Sequence, residues 1–223
     1  MKILITAGPT QEPIDSVSYL SNYSSGKMGY ALAEAARKAG HHVILVSGPT
    51  ALPPPRKVRV IKVTTALEMR RAVMQYSQAS DVIFKVAAVA DYRPVRQIRG
   101  KMKKGKKNLS LKLTLNPDIL KELGKKKKRH QILVGFAAES GQKISEAKRK
   151  LRQKNCDWII FNDISSRGVG FGSDANRVTL FGRQGQVIPL KQASKKTLAT
   201  QILKHMGMGI PSLRARRAKQ SRR

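Results

Sequence analysis

The 223-residue chain has one cysteine, Cys156. That excludes an internal disulfide framework and fits a reducing compartment. Between Asn155 and Asp157, at the start of an expected strand, Cys156 reads as a buried, inert thiol rather than a nucleophile. Aromatic residues make up only 5% and do not interleave with the lysines, so there is no stacking platform for single-stranded nucleic acid. No apolar run exceeds strand length, which excludes a transmembrane helix. The N-terminus lacks a basic segment followed by an apolar one, so no signal peptide is expected and the expected location is the cytoplasm. Two nucleotide fingerprints are also missing: Gly-x-Gly-x-x-Gly after the first strand and Gly-x-x-x-x-Gly-Lys-Ser/Thr. A standard dinucleotide dehydrogenase or P-loop kinase is therefore disfavoured. His41 and His42 have no carboxylate or cysteine nearby and read as turn residues rather than metal ligands.

Acidic residues are scarce too: 13 against 45 lysines and arginines, a net charge of +32. Such an excess invites a nucleic-acid reading, because clustered cations release counterions from a phosphate backbone. The runs at Lys101–Lys107, Lys125–Arg129, Lys148–Lys154 and Arg214–Arg223 instead look like surface loops, a helix and a tail. Part of the charge is expected to serve an anionic small substrate, and nucleic acid is not the expected partner.

What is present is a chain with 40% hydrophobic residues, enough for one generous α/β domain. Lys2-Ile3-Leu4-Ile5-Thr6 reads as a first strand. The loop after it ends in Ser21-Asn22-Tyr23-Ser24-Ser25-Gly26-Lys27-Met28-Gly29 and runs into an alanine-rich helix closed at Gly40. A helix start built of Ser and Gly points free backbone N–H groups outward at the positive end of the helix dipole, which suits phosphate or carboxylate. Ser-Ser-Gly is equally an ordinary N-cap turn, and both readings stand at this point.

Further on, Thr64 and Thr65 with Glu68 resemble a cap before a helix. Ala87-Ala88-Val89-Ala90-Asp91 leaves the end of an expected strand, where open α/β sheets bind ligands. Asp91 there holds a divalent cation or caps a turn. Leu109, Leu111 and Leu113 alternate with polar residues and read as a half-exposed strand on a basic flap attached to the main sheet. Asn116 reads as a helix cap with Pro117 at the first helical position. Segments 177–181 and 187–190 read as a β-hairpin. Strands alternate with helices, so the expected fold is a Rossmann-like, doubly wound, mainly parallel sheet with an antiparallel C-terminal hairpin. Residues 1–206 form the expected domain, and 207–223 an expected disordered tail.

Taken together, the loops resemble the phosphopantothenate–cysteine ligase family (phosphopantothenoylcysteine synthetases), in its bacterial CTP-dependent type. The residues that carry the resemblance are Gly8-Pro9-Thr10, Asn22–Gly29, Ala87–Pro94, Lys101–Lys104, Asn116–Ile119, Gly135–Glu139, Asn162–Ile164 and Phe171–Asn176. They follow family order over residues 1 to about 206.

The resemblance implies a two-step ligation. The carboxylate of 4′-phosphopantothenate attacks the α-phosphate of CTP, giving an acyl-cytidylate and pyrophosphate. The amine of L-cysteine then displaces CMP. By resemblance, Lys101 serves formation of the cytidylate and Asn22 the second step. Lys85, Val86, Ala87, Asp91, Pro117, Asp118, Ile119, Leu120, Phe136, Lys150 and Lys154 match CTP contacts, Lys85 through its backbone at best. Gly8, Asn22, Ser24, Ser25, Gly26 and Met28 match the phosphate and substrate turn. Asp91 is the implied site of Mg²⁺ or Mn²⁺. Family members are homodimers whose flaps reach toward the partner, and many bacterial relatives carry a flavin-dependent decarboxylase domain. Here the chain begins at the first ligase strand, so either the gene is split, with a separate phosphopantothenoylcysteine decarboxylase as a partner, or the sequence is a piece of a longer protein. The basic surplus and Arg-rich tail have no counterpart in the family pattern. A short-chain dehydrogenase reading is set aside because the glycine fingerprint is missing.

Overall fold

Strand β1 (Lys2–Ala7) buries Leu4 against one side of the sheet and Ile3, Ile5 and Ala7 against the other. A strand that is apolar on both faces needs cover on both, and in the computed structural model helices supply it. The structure describes residues 1–105, 108–139, 144–163 and 173–209. Beside β1 lie β4 (His42–Ser47) and β5 (Arg59–Lys62) on one hand, and β6 (Val82–Lys85), β9 (Ile132–Glu139) and β10 (Trp158–Asp163) on the other, all parallel. The antiparallel hairpin of β11 (Ala175–Gly182) and β12 (Val187–Ser194) extends the sheet at the β10 edge. Strand order is therefore β12-β11-β10-β9-β6-β1-β4-β5, the doubly wound arrangement expected from the sequence.

Helices α1 (Lys27–Lys38) and α5 (Lys195–His205) cover one face through Leu32, Ala36, Leu198 and Ile202. Helices α2 (Ala66–Ser77), α3 (Ile119–Lys126) and α4 (Ile144–Gln153) cover the other through Met69, Val73, Leu123 and Leu151. Local chemistry fixes the helix ends. Thr65 Oγ1 accepts from Glu68 N (3.2 Å) while Glu68 returns a carboxylate oxygen to Thr64 N (2.7 Å), the reciprocal cap read from sequence. Helix α1 closes at Gly40 with paired bonds, His41 N to Ala36 O and Gly40 N to Arg37 O. Cys156 is fully buried, and burial, reinforced by Asp157, pushes its thiol up to about 12.

Three expectations are corrected. Asp118, not Asn116, caps α3, its side chain accepting from Lys121 N (2.9 Å). Asn116 is already engaged, donating to Ala90 O and accepting from Arg93. The flap strand is shorter than the leucine alternation implies and stands off the main sheet. Among the described residues β8 (Leu113–Leu115) pairs only with β7 (Tyr92–Pro94), and β2 (Gln11–Pro13) pairs with β3 (Tyr19–Ser21) in a second small sheet. Finally, the domain does not stop at residue 206. After Gly207, Met208 N bonds Leu203 O and the Met208 side chain, 2% exposed, joins the core. The Arg214–Arg223 run lies outside the described residues.

Candidate active site

Strand order reverses between β1 and β6, and a crevice opens beyond their carboxyl ends. Backbone pairing continues past both strands and fixes the floor: Ala88 N donates to Gly8 O (3.0 Å) and Thr10 N to Ala88 O (3.2 Å). Thr6, fully buried, accepts from both Val86 N and Ala87 N through its hydroxyl.

One cavity, about 140 Å³, lies over this floor. Its wall is the Ser24–Gly29 turn with Gly8, Val86–Ala88, Phe136, Asn162, Asn176 and Lys195. The α1 terminus bears on the choice between cap turn and anion site. Its N-cap is Gly26, at φ 76, with no side-chain cap bond and no acidic residue in the first turn. Ser24 Oγ accepts only a long bond from Gly26 N (3.4 Å). No serine side chain caps this helix, and the cavity sits at its positive end.

A second cavity, about 560 Å³, shares Phe136 with the first. Asp91, Lys85, Pro117–Leu120, Lys150 and Lys154 all line it. Lys150 and Lys154, four apart on one face near the end of α4, both reach the cavity as their spacing implies. Lys154 pairs with Asp118. Burial pushes the Asp118 carboxyl up, but the Lys154 ammonium and the Lys121 N–H outweigh it and leave it below the usual carboxylate range. Lys85 donates to Ala87 O (2.7 Å). Burial pulls its ammonium down to about 8, against the carboxylates of Asp118 and Asp91. Lys85 thus borders the cavity with its ammonium turned to the Ala87 carbonyl. Among the described residues no three His, Cys, Asp or Glu side chains gather to hold a metal ion. Asp91 borders a cavity that Asp118 also lines, and such a pair fits Mg²⁺, which takes one or two carboxylates and completes its shell with water and substrate phosphates.

Asn22 is exposed and lines neither cavity, but its Nδ2 donates to the carbonyl of Ala88 (3.0 Å), which borders the first. Lys101 is not brought in within this one chain; it is exposed and lines neither cavity. The feature missed in the sequence is what holds its segment. Asp15 accepts from Met102 N (2.9 Å) and from Val17 N and Ser18 N, and Gly100 O accepts from Ser16 N. The Asp-x-x-Ser spacing in Asp15–Ser18 is the local signal of such a turn. The Met102 N–H, then that of Val17, hold the Asp15 carboxyl below its usual range. This anchor is therefore complete above the ordinary aspartate range and is lost as pH falls through the lowered value. An Asp15→Ala variant is expected to be cut by trypsin at Lys101 and Lys103 roughly tenfold faster at neutral pH, as loss of a charge-assisted hydrogen bond implies. Cleavage at the parent rate would show that Asp15 does not tether the segment.

Comparison with known proteins identifies the family and the fold. Residues 1–208 match the family described as DNA/pantothenate metabolism flavoprotein C-terminal domain. The chain is 48% identical over 205 residues to the coenzyme A biosynthesis bifunctional protein CoaBC of Bacillus subtilis, covering 92% of this chain and 50% of that protein. It thus spans about half the length of the curated relatives it matches. A crystal structure of the C-terminal domain of CoaBC superposes with a TM-score of 0.78 at 46% identity, covering 93% of this chain and 96% of that one. A Cab2 variant solved in complex with phosphopantothenate-cysteine shares the fold at 17% identity, with a TM-score of 0.70 and coverage of 93% and 87%. The chain belongs to the family of DNA/pantothenate metabolism flavoprotein C-terminal domains, the domain that forms the C-terminal part of CoaBC.

Proposed function

We propose that this domain is a CTP-dependent phosphopantothenate–cysteine ligase of coenzyme A biosynthesis. The observation that carries the reading is the pair of cavities at one switch point. One has an uncapped helix N-terminus and the other three lysines, with Phe136 as their common wall. Such a site suits a reaction between a polyanion and an acid held side by side. Family membership, and the phosphopantothenate-cysteine found in the Cab2 complex, name the class of acid.

A carboxylate is a poor electrophile until its oxygen becomes a leaving group. In the first step the pantothenate oxygen bonds to the α-phosphorus of CTP and the α–β bridge breaks, releasing pyrophosphate. In the second the cysteine nitrogen bonds to the acyl carbon, the amine loses a proton and CMP departs. Lys85, Lys150 and Lys154 oppose the negative charge that spreads over the phosphates. Asn22 holds the acyl-cytidylate beside Ala88. Mg²⁺ or Mn²⁺, carried through Asp91 and the nucleotide, would add Lewis-acid charge stabilisation.

Lys101 enters from a second copy of the chain. Apolar side chains cluster on the two small sheets, with Tyr19 52%, Tyr92 51% and Leu115 65% exposed. Strands β2 and β7 bring these sheets together. A homodimer through this surface would cover those groups and carry the Lys101 segment toward a partner cleft. The direct check is turnover with 4′-phosphopantothenate and L-cysteine, CTP against ATP, following pyrophosphate and CMP or AMP. CTP is expected to support both releases and ATP to be the poorer donor. Silence with both nucleotides would end this reading.

A further inference from the structure

Lys195 and the Phe171–Asn176 motif are not used by the reaction as described so far. The structure joins them, from Ser173 onward. Lys195 is the first residue of α5, a helix capped by Ser194 Oγ on Thr197 N (3.1 Å). It is only 6% exposed, yet it lines the anion cavity together with the Ser24–Gly29 turn. The motif holds it there: Lys195 Nζ donates to Ser173 O, and its backbone N donates to Asp174 O (3.0 Å). The Asp174 side chain crosses to Lys27 Nζ, in the first turn of α1, at 2.6 Å. The turn is thus tied to both helices whose N-termini border the cavity.

A buried ammonium is costly without compensating charge. Burial and the neighbouring Lys27 both lower the proton affinity of Lys195, and Asp174 works against them. A phosphoryl anion in the cavity would restore it. The volume, about 140 Å³, falls below the roughly 300–1,000 Å³ of whole-ligand pockets and suits one phosphoryl group rather than a nucleoside. Asn162 gives an independent sign that a ligand completes this cavity. It is 9% exposed, lines the same wall, and its Oδ1 has no hydrogen-bond partner among the described residues.

We propose that Lys195 is a further binding residue of the reaction centre. Its ammonium and the N–H groups at the start of α1 together seat one phosphoryl group, and the Ser173–Asn176 turn positions that ammonium through its tie to Lys27. Which phosphoryl it is, that of the nucleotide or of departing pyrophosphate, rests on the ligase reading; the seat itself does not.

The test is calorimetric titration of the full chain with inorganic pyrophosphate alone, across pH 6 to 10. Lys195→Met is expected to weaken binding about tenfold or more at neutral pH, the scale of one charge-assisted hydrogen bond. It should lower kcat while leaving KM for cysteine unchanged. Asp174→Asn alters a side chain that is 86% exposed, so the fold should tolerate it. It removes the carboxylate that supports the Lys195 charge, so the alkaline loss of pyrophosphate binding should move to lower pH. Unchanged pyrophosphate affinity in folded Lys195→Met overturns the proposal. Should that variant fail to fold, an Asp174→Asn pH curve that overlies the parent's overturns it instead. Pyrophosphate binding that depends on Lys195 in a chain with no ligase turnover would keep the seat and discard the ligase.

Discussion

Lys101→Gln is expected to abolish pyrophosphate release almost entirely, whereas Asn22→Asp releases pyrophosphate but stalls before CMP appears. Removing one preorganised donor from a transition state costs about 10²–10³ in rate, and Lys101 would bring a full charge to the α-phosphate. Asn22→Asp acts differently. Its amide donates to Ala88 O, which borders the smaller cavity. A carboxylate there repels that carbonyl and the cytidylate phosphate, so the intermediate is held poorly while its formation is spared. Measuring the two products separately distinguishes the cases, and equal loss of both in Asn22→Asp contradicts the assignment. Because Lys101 lines neither cavity of its own chain, mixing the two inactive variants should restore part of the activity in heterodimers. Failure to complement would return Lys101 to a role within one chain.

Gly48→Ala should be the most damaging small substitution for stability. A Cβ at Gly48 would lie 1.7 Å from Pro9 O, where the loops leaving β1 and β4 pack backbone to backbone. Gly48 N also bonds Ala7 O at 2.9 Å, so the loop cannot retreat without losing a main-chain bond. Overpacking of this kind costs up to about 3 kcal/mol, or a melting point lower by roughly 6–12 °C in a domain of this size. Gly105→Ala, where an added Cβ meets nothing within 4 Å, should melt like the parent. A Gly48→Ala protein that also melts like the parent would mean the two loops separate freely.

The sequence made legible whatever is encoded within a few residues. The Thr65 cap is a spacing of three, and the Gly40 stop is one residue after a periodic helix. The parallel sheet follows from β-branched runs alternating with helices. What escaped depends on distant partners. Strands β2, β3, β7 and β8 have three residues each, too few to show a period, and exist because the chain folds them against one another. Asn116 and Asp118 are both plausible caps in isolation; Arg93 and Ala90 O claim the first and leave the helix to the second. Met208 looked like tail because nothing nearby shows that His41 Nε2 donates to its carbonyl (2.9 Å). Within the site, the asparagine, aspartate and lysine positions on strand ends were readable as motifs. The tether on Asp15 and the burial of Lys195 were not, since each needs a partner more than twenty residues away.

Phe136 is the partition between the small cavity and the large one. Remodelling the far side of that ring at Ile119, Leu120 and Ile159 would reshape the larger cavity and leave the floor built on β1 untouched. Under the proposed ligase reading, the apolar shape of the larger cavity and the charge of its lysines are then separable traits, and an engineer can change the first while keeping the second.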